Sequence, residues 1–235
     1  FQQSGEDHRV GNITDEEFVE ADHPCLIGET LADGSPAVTL DGLNCGGGIQ
    51  ISGIAANQTT LENVRITRTS AALEIFNCTT TVTNCTFESC FNAYGTVYLS
   101  GCTVTLQQCA IVGNTSYSAG GVRVTEEDGG GSTAVTMIDC TVAENIAAYF
   151  GMGGTGGIWV AGGALSMINC QVHDNGSGSG GVGGIAVIAA ASLSMEDSTG
   201  CANYSNDGPS QLVGDWTDNG GNTIEDECPN DCPAD

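Results

Sequence analysis

Cys85, Cys109, Cys140 and Cys170 recur 24, 31 and 30 residues apart, each with an apolar residue three places before it and another two places after. Thiols at such positions can hold zinc, form disulfides or fill a core. Tetrahedral zinc needs thiolates that converge on one point, whereas residues repeated in equivalent surroundings make a line. The expected role is therefore inert: small apolar side chains packed in a narrow interior. Column neighbours fall within disulfide reach. The better candidates for bridges lie at the two ends, Cys25 with Cys45 and Cys228 with Cys232.

The acid–base inventory is thin. His8, His23 and His173 have no matching partners, His173-Asp174 are neighbours in sequence only, and Arg65 and Arg68 stand alone. Elimination on an anionic sugar polymer needs a cationic base beside acid-held calcium. Glycoside hydrolysis needs a placed pair of carboxylates. Neither pattern is present, so no catalytic residue is expected. Glu126-Glu127-Asp128 and the tail acids Glu225, Asp226, Glu227 and Asp231 suit weak calcium binding without an EF-hand spacing, and no other cofactor is expected. The best small-ligand candidate is the row Tyr98, Arg123 and Trp159, each set between two apolar residues. An exposed aromatic–Arg–aromatic row would stack on a sugar ring. The alternative is a cation–π sandwich without a ligand.

These residues need elements to position them, and the elements repeat. Aligned on the Cys position, the chain reads Val64, Cys85, Cys109, Cys140, Cys170 and Ser198. Three places upstream lie Leu61, Val82, Leu106, Met137, Met167 and Met195; two places downstream lie Ile66, Phe87, Ile111, Val142, Val172 and Gly200. Five places downstream lie Thr69, Cys90, Asn114, Asn145, Asn175 and Asn203. Each unit also carries an apolar–x–apolar triplet, after Gly-Gly in four of them. Period-two alternation over such short segments predicts strands with one buried face. One unit cannot bury its own apolar side, so equivalent positions must stack. The expectation is an all-β, single-stranded right-handed parallel β-helix of about six coils, with three short strands in each. The Asn column should hydrogen-bond along the stack.

The ends depart from the repeat. Residues 1–44 read as an N-terminal cap, in which Thr14-Asp15-Glu16-Glu17 is a capping box for a short helix over about 15–21. Residues 45–203 form the β-helix. Residues 204–235 read as an irregular C-terminal cap and an acidic, Cys-containing tail. Insertions around Glu126–Gly131 and around Tyr149-Phe150-Gly151-Met152 are expected to be loops.

A formal charge of -25, with no Lys and only four Arg, repels nucleic acid and anionic membranes. No run of about 18 apolar residues exists, so no membrane-inserting helix is expected. An even count of 12 cysteines in an acidic, Gly-rich chain starting at Phe1 suits a mature, secreted protein. Seven Asn-x-Ser/Thr sites occur, at Asn12, Asn57, Asn77, Asn84, Asn114, Asn175 and Asn203. An amide locked in a ladder carries no glycan, so Asn12, Asn57 and Asn77 are the better glycosylation candidates. Thr60, Thr81, Thr105, Thr136, Ser166 and Ser194 align outward, a pattern met on ice-binding faces but also explained by β-propensity.

The units Gly120-Gly121-Val122, Gly156-Gly157-Ile158 and Gly183-Gly184-Ile185, with Val142-Ala143-Glu144-Asn145 and Val172-His173-Asp174-Asn175, resemble secreted right-handed β-helix proteins of the pectin-lyase-like class. They are similar in particular to the repeats of polymorphic outer-membrane proteins. The resemblance covers about residues 45–203 and implies a fold more than an activity. With the missing catalytic groups, it points to a secreted, non-catalytic β-solenoid. The expected role is structural, adhesive or in surface display, with end-to-end self-assembly into a filament as one form of it, and with copies of itself or extracellular glycans as partners. A carbohydrate-binding protein or degenerate polysaccharide lyase or hydrolase is the alternative, and ice binding a further one.

Overall fold

A computed structural model describes residues 8–9, 25–27, 30–31, 34–43, 47–52, 58–126, 131–148, 153–188 and 190–228. Among them there is no helix, and the strands form four sheets running the length of an all-β parallel solenoid of about seven turns. The helix expected over 15–21 lies outside the described residues.

One coil shows the plan. Leu73–Phe76 lies in the first sheet, Thr79–Thr83 in the second, Thr86–Glu88 in the third and Phe91–Asn92 in the fourth. Gly95–Ser100 then returns to the first sheet directly beside Leu73–Phe76. Each coil from Leu73 to Tyr204 thus has four strands, not three. The fourth is two residues long, one side chain inward and one outward, too short to show alternation in sequence.

Register carries the core. Leu61, Val82, Leu106, Met137, Met167 and Met195 are successive partners in the second sheet, as the sequence alignment requires. Leu73, Val97, Val122, Ile158 and Ile185 do the same in the first. All of these side chains are at most 1 % exposed, and burying one of this size contributes about 1.5–3 kcal/mol. The one break in the third-sheet column, Gly200, has its explanation in the next turn. Its partner Ile224 reaches under it, leaving 3.0 Å to where a Cβ would sit.

Bends between sheets use single residues in the left-handed region. Asn63, Asn84, Gln108, Asp139, Asn169 and Asp197 have φ between 48° and 58° at the bend between the second and third sheets. Asn and Asp tolerate this conformation, which accounts for the polar residue before each Cys of the column.

The stack runs beyond 45–203 at both ends. Cys25–Ile27 pairs with Gln58–Glu62, and Val38–Asp41 with Val64–Thr67. Leu212–Val213, Thr217–Asp218 and Thr223–Glu225 add a last turn to three sheets. The fourth sheet instead closes with Gly208–Pro209 turned back antiparallel on Tyr204–Ser205. These outer turns lack the Gly-Gly and Asn-Cys marks, so the alignment finds six coils where there are about seven.

Candidate functional site

The buried asparagines of the solenoid are satisfied by one another and by backbone carbonyls. Asn114 Nδ2 donates to Asn145 Oδ1 at 2.9 Å, Asn145 to Asn175 at 3.0 Å, and Asn175 to Asn203 at 2.9 Å. Each of the four also donates to a carbonyl of the preceding turn, those of Phe87, Ile111, Val142 and Val172. Gln211 ends the ladder, its Oε1 accepting from Asn203 Nδ2 at 2.9 Å. The sequence reading missed Gln211, which lies outside the spacing; its only signal was its place after the last Asn. At 0–1 % exposure, Asn114, Asn175 and Asn203 have no room for a glycan. Of the three better sequons, Asn77 is exposed on a left-handed bend with φ of 51°, while Asn12 and Asn57 lie outside the described residues.

The thiol column is buried and reduced. Cys85, Cys109, Cys140 and Cys170 are 1–2 % exposed, each sulfur 3.3 Å from the carbonyl oxygen two residues back. Burial pushes the Cys85 thiol up to about 12. Cys140 is also raised to about 12, first by its hydrogen bond with Cys109 and then by burial. These are unreactive thiols. The column ends in Ser198, whose backbone N–H donates to Asn222 Oδ1 at 2.9 Å.

The disulfide at the C-terminal end joins Cys201 to Cys228, so Cys228 is not bonded to Cys232. Cys201 sits at the end of a third-sheet strand with its Cα 4.9 Å from that of Cys228, within bridging range. The C-terminal turn brings Cys228 back beside it. Cys232 and Cys45 lie outside the described residues, as does the side chain of Cys25.

The Tyr98–Arg123–Trp159 row is in register on the first sheet. The Arg123 guanidinium lies 5.5 Å from the Tyr98 ring and 4.7 Å from that of Trp159. Yet Tyr98 is 8 % and Arg123 6 % exposed, so the row is not the open platform the sequence suggests. Phe76 and Tyr94 pack on Tyr98 at 5.5 and 6.4 Å. That covering comes from the last residue of one strand, Phe76, and from a bend residue, Tyr94, neither of which belongs to an inward column of the repeat.

Arg65 and Arg68 do not stand alone. Arg65 pairs with Glu88, and Arg68 pairs with Asp41, with its Nε 2.9 Å from Oδ1. The Arg68 guanidinium holds the Asp41 carboxyl below the usual carboxylate range. His173 Nδ1 and Asp174 Oδ2 are 2.8 Å apart, a contact that adjacency alone did not promise. Their strand is flanked at His173 by Ala143 and by the bridged Cys201, neither a catalytic partner. Among the described residues, no three His, Cys, Asp or Glu side chains converge as metal ligands. Glu127, Asp128 and Asp231 lie outside those residues. No helix among them is long and apolar enough to cross a membrane.

The Thr and Ser positions Thr60 to Ser194 run in register down the centre of the second sheet. Their outward companions lie two residues away and are not the apolar inward ones. Thr79 and Thr83 flank Thr81, but Ala134 and Ile138 flank Thr136, and Ala164 and Ile168 flank Ser166. Among the described residues, three outward threonines therefore share one rung only, that of Thr79, Thr81 and Thr83.

A feature that sequence reading missed lies on the fourth sheet. Phe91, Tyr94, Tyr117, Ile146 and Tyr204 are 42–62 % exposed, five of the nine exposed large apolar side chains among the described residues. Phe91, Thr115, Ile146, Gly176 and Tyr204 are successive partners. Tyr117 meets Phe91 edge-on at 5.2 Å. The two-residue strands hide this stripe in sequence.

The chain matches a family model described as a right handed beta helix region over residues 38–199. That match supports the β-helix as such and does not extend to the outer-membrane-protein repeats. No curated protein and no solved structure matches the chain.

Proposed function

This chain belongs to the right-handed β-helix family, and on that premise we propose that it is a secreted, non-catalytic solenoid with a structural or adhesive role. One observation carries the reading. The recurring Asn and Cys side chains, the ones that could do chemistry, face inward and are consumed by stacking in the asparagine ladder and the thiol column. A reacting site needs groups that converge on a substrate, and here the repeated groups satisfy one another. The external setting draws support from the Cys201–Cys228 bridge and the strongly acidic composition. Extracellular glycans fit the role of partner better than further copies at the C-terminal end. There the fourth sheet turns back on itself and the bridge ties the tail to the last full coil.

The purified protein should leave neutral and uronate polysaccharides intact. Incubation with each, followed by absorbance of unsaturated products and by reducing-end assay, should give no signal above buffer. Turnover that disappears with His173→Ala or Asp174→Ala would overturn the reading.

A further inference from the structure

We infer that the fourth sheet carries a binding site for an uncharged polysaccharide lying along the solenoid axis; this rests on the adhesive reading above. Each strand of this sheet offers at most one outward side chain, because it is two residues long, and Gly176 offers none; Tyr94 and Tyr117 join the stripe from just beyond their strands. Five rungs from Phe91 to Tyr204 make four steps, about 19 Å at the strand spacing of about 4.8 Å. The surface is therefore long and narrow.

Its chemistry is aromatic and acidic. Phe91, Tyr117 and Tyr204 expose ring surface, with Ile146 between them. Aromatic faces are electron-rich and attract the C–H edges of pyranose rings. Tyr204 lies back over Gly176, where an added Cβ would be 2.6 Å from its Cζ; the glycine thus provides the seat for that ring. The ring of Tyr117 is held edge-on against Phe91, so this end of the stripe is ordered before any ligand arrives. Exposed Glu144 and Asp174 stand two residues before Ile146 and Gly176 and border the stripe with carboxylates that accept bonds from sugar hydroxyls.

Shape and charge select among partners. A protein interface needs about 800 Å² from each side, which so narrow a ridge does not supply. A linear chain contacts such a ridge along its length. A formal charge of -25 repels uronates, sulfated glycans and nucleic acid, leaving neutral polymers.

The test is affinity electrophoresis in gels containing xyloglucan, hydroxyethylcellulose or galactomannan, with polygalacturonate as the anionic control. Wild-type protein should be retarded by at least one neutral polymer and not by polygalacturonate. Tyr117→Ala/Tyr204→Ala should weaken retardation about tenfold or more, since it removes two of the exposed ring faces. Trp159→Ala, on the first sheet, should leave it unchanged. Ile146→Glu, at an exposed position, tests the same stripe without removing a ring. Normal mobility of wild type in every neutral gel, retardation by polygalacturonate alone, or equal retardation of wild type, double variant and Ile146→Glu would each overturn the inference. Reducing-end assay of the same gels separates the two readings. New chain ends would sink the non-catalytic role, whereas intact polymer without retardation sinks only the stripe.

Discussion

Asn145 makes the cost of one residue explicit. Its Nδ2 donates to Ile111 O at 2.8 Å and to Asn175 Oδ1 at 3.0 Å, while its Oδ1 accepts from Asn114 N and Nδ2 at 3.1 and 2.9 Å. Asn145→Ala removes all four bonds and leaves buried donors and acceptors without their partners. Each unsatisfied group costs about 1–3 kcal/mol, so the loss should be about 4 kcal/mol or more in urea unfolding, against near-zero for exposed Tyr117→Ala. Equal midpoints for the two variants would mean that the ladder is decorative. The sequence identified the residue type and spacing of this column, because a buried amide at a matching bend has little else to do. It did not identify Gln211, whose longer side chain reaches the ladder from outside the repeat.

Among elements, the glycine turns separate crowding from backbone conformation. Gly156 leads from the fourth sheet back into the first, and a Cβ there would meet the Gly176 and Gly183 backbone at 2.5–2.6 Å. Backbone cannot step aside, so Gly156→Ala should prevent two turns from seating and abolish the cooperative melt. Gly113 has φ of 65° and open space around it. Gly113→Ala should therefore cost only about 1 kcal/mol, read as a small drop in thermal midpoint. The same contrast explains what could be read in advance. Columns such as Leu106, Met137 and Met167 were legible because every turn repeats the demand for an apolar side chain. The fourth strand was not, since two residues carry no period. Nor was the burial of Tyr98, against which Phe76 at a strand end and Tyr94 in a bend both pack.

At the scale of the molecule, the buried thiols make stability depend on alkali. Cys85, Cys102 and Cys140 titrate near 12 in the fold, against 9.0 for a free thiol. A raised folded value means that the native state holds the proton more tightly. The associated stability is complete below pH 9 and is lost between about pH 9 and 12, at about 1.4 kcal/mol per pH unit for each thiol. Thermal midpoints should hold between pH 7 and 8.5 and then fall steeply by pH 11. Cys140→Ala should flatten that fall, and an unchanged slope would show the thiol column to be irrelevant to it.

The bridge between Cys201 and Cys228 spans 27 positions, and within that span lie the strands of the final turn. Tension applied at the carboxyl end is handed straight to Cys201, bypassing Leu212, Thr217 and Thr223. A tethered molecule of this kind cannot be peeled from its last turn, so its unravelling under load must begin elsewhere.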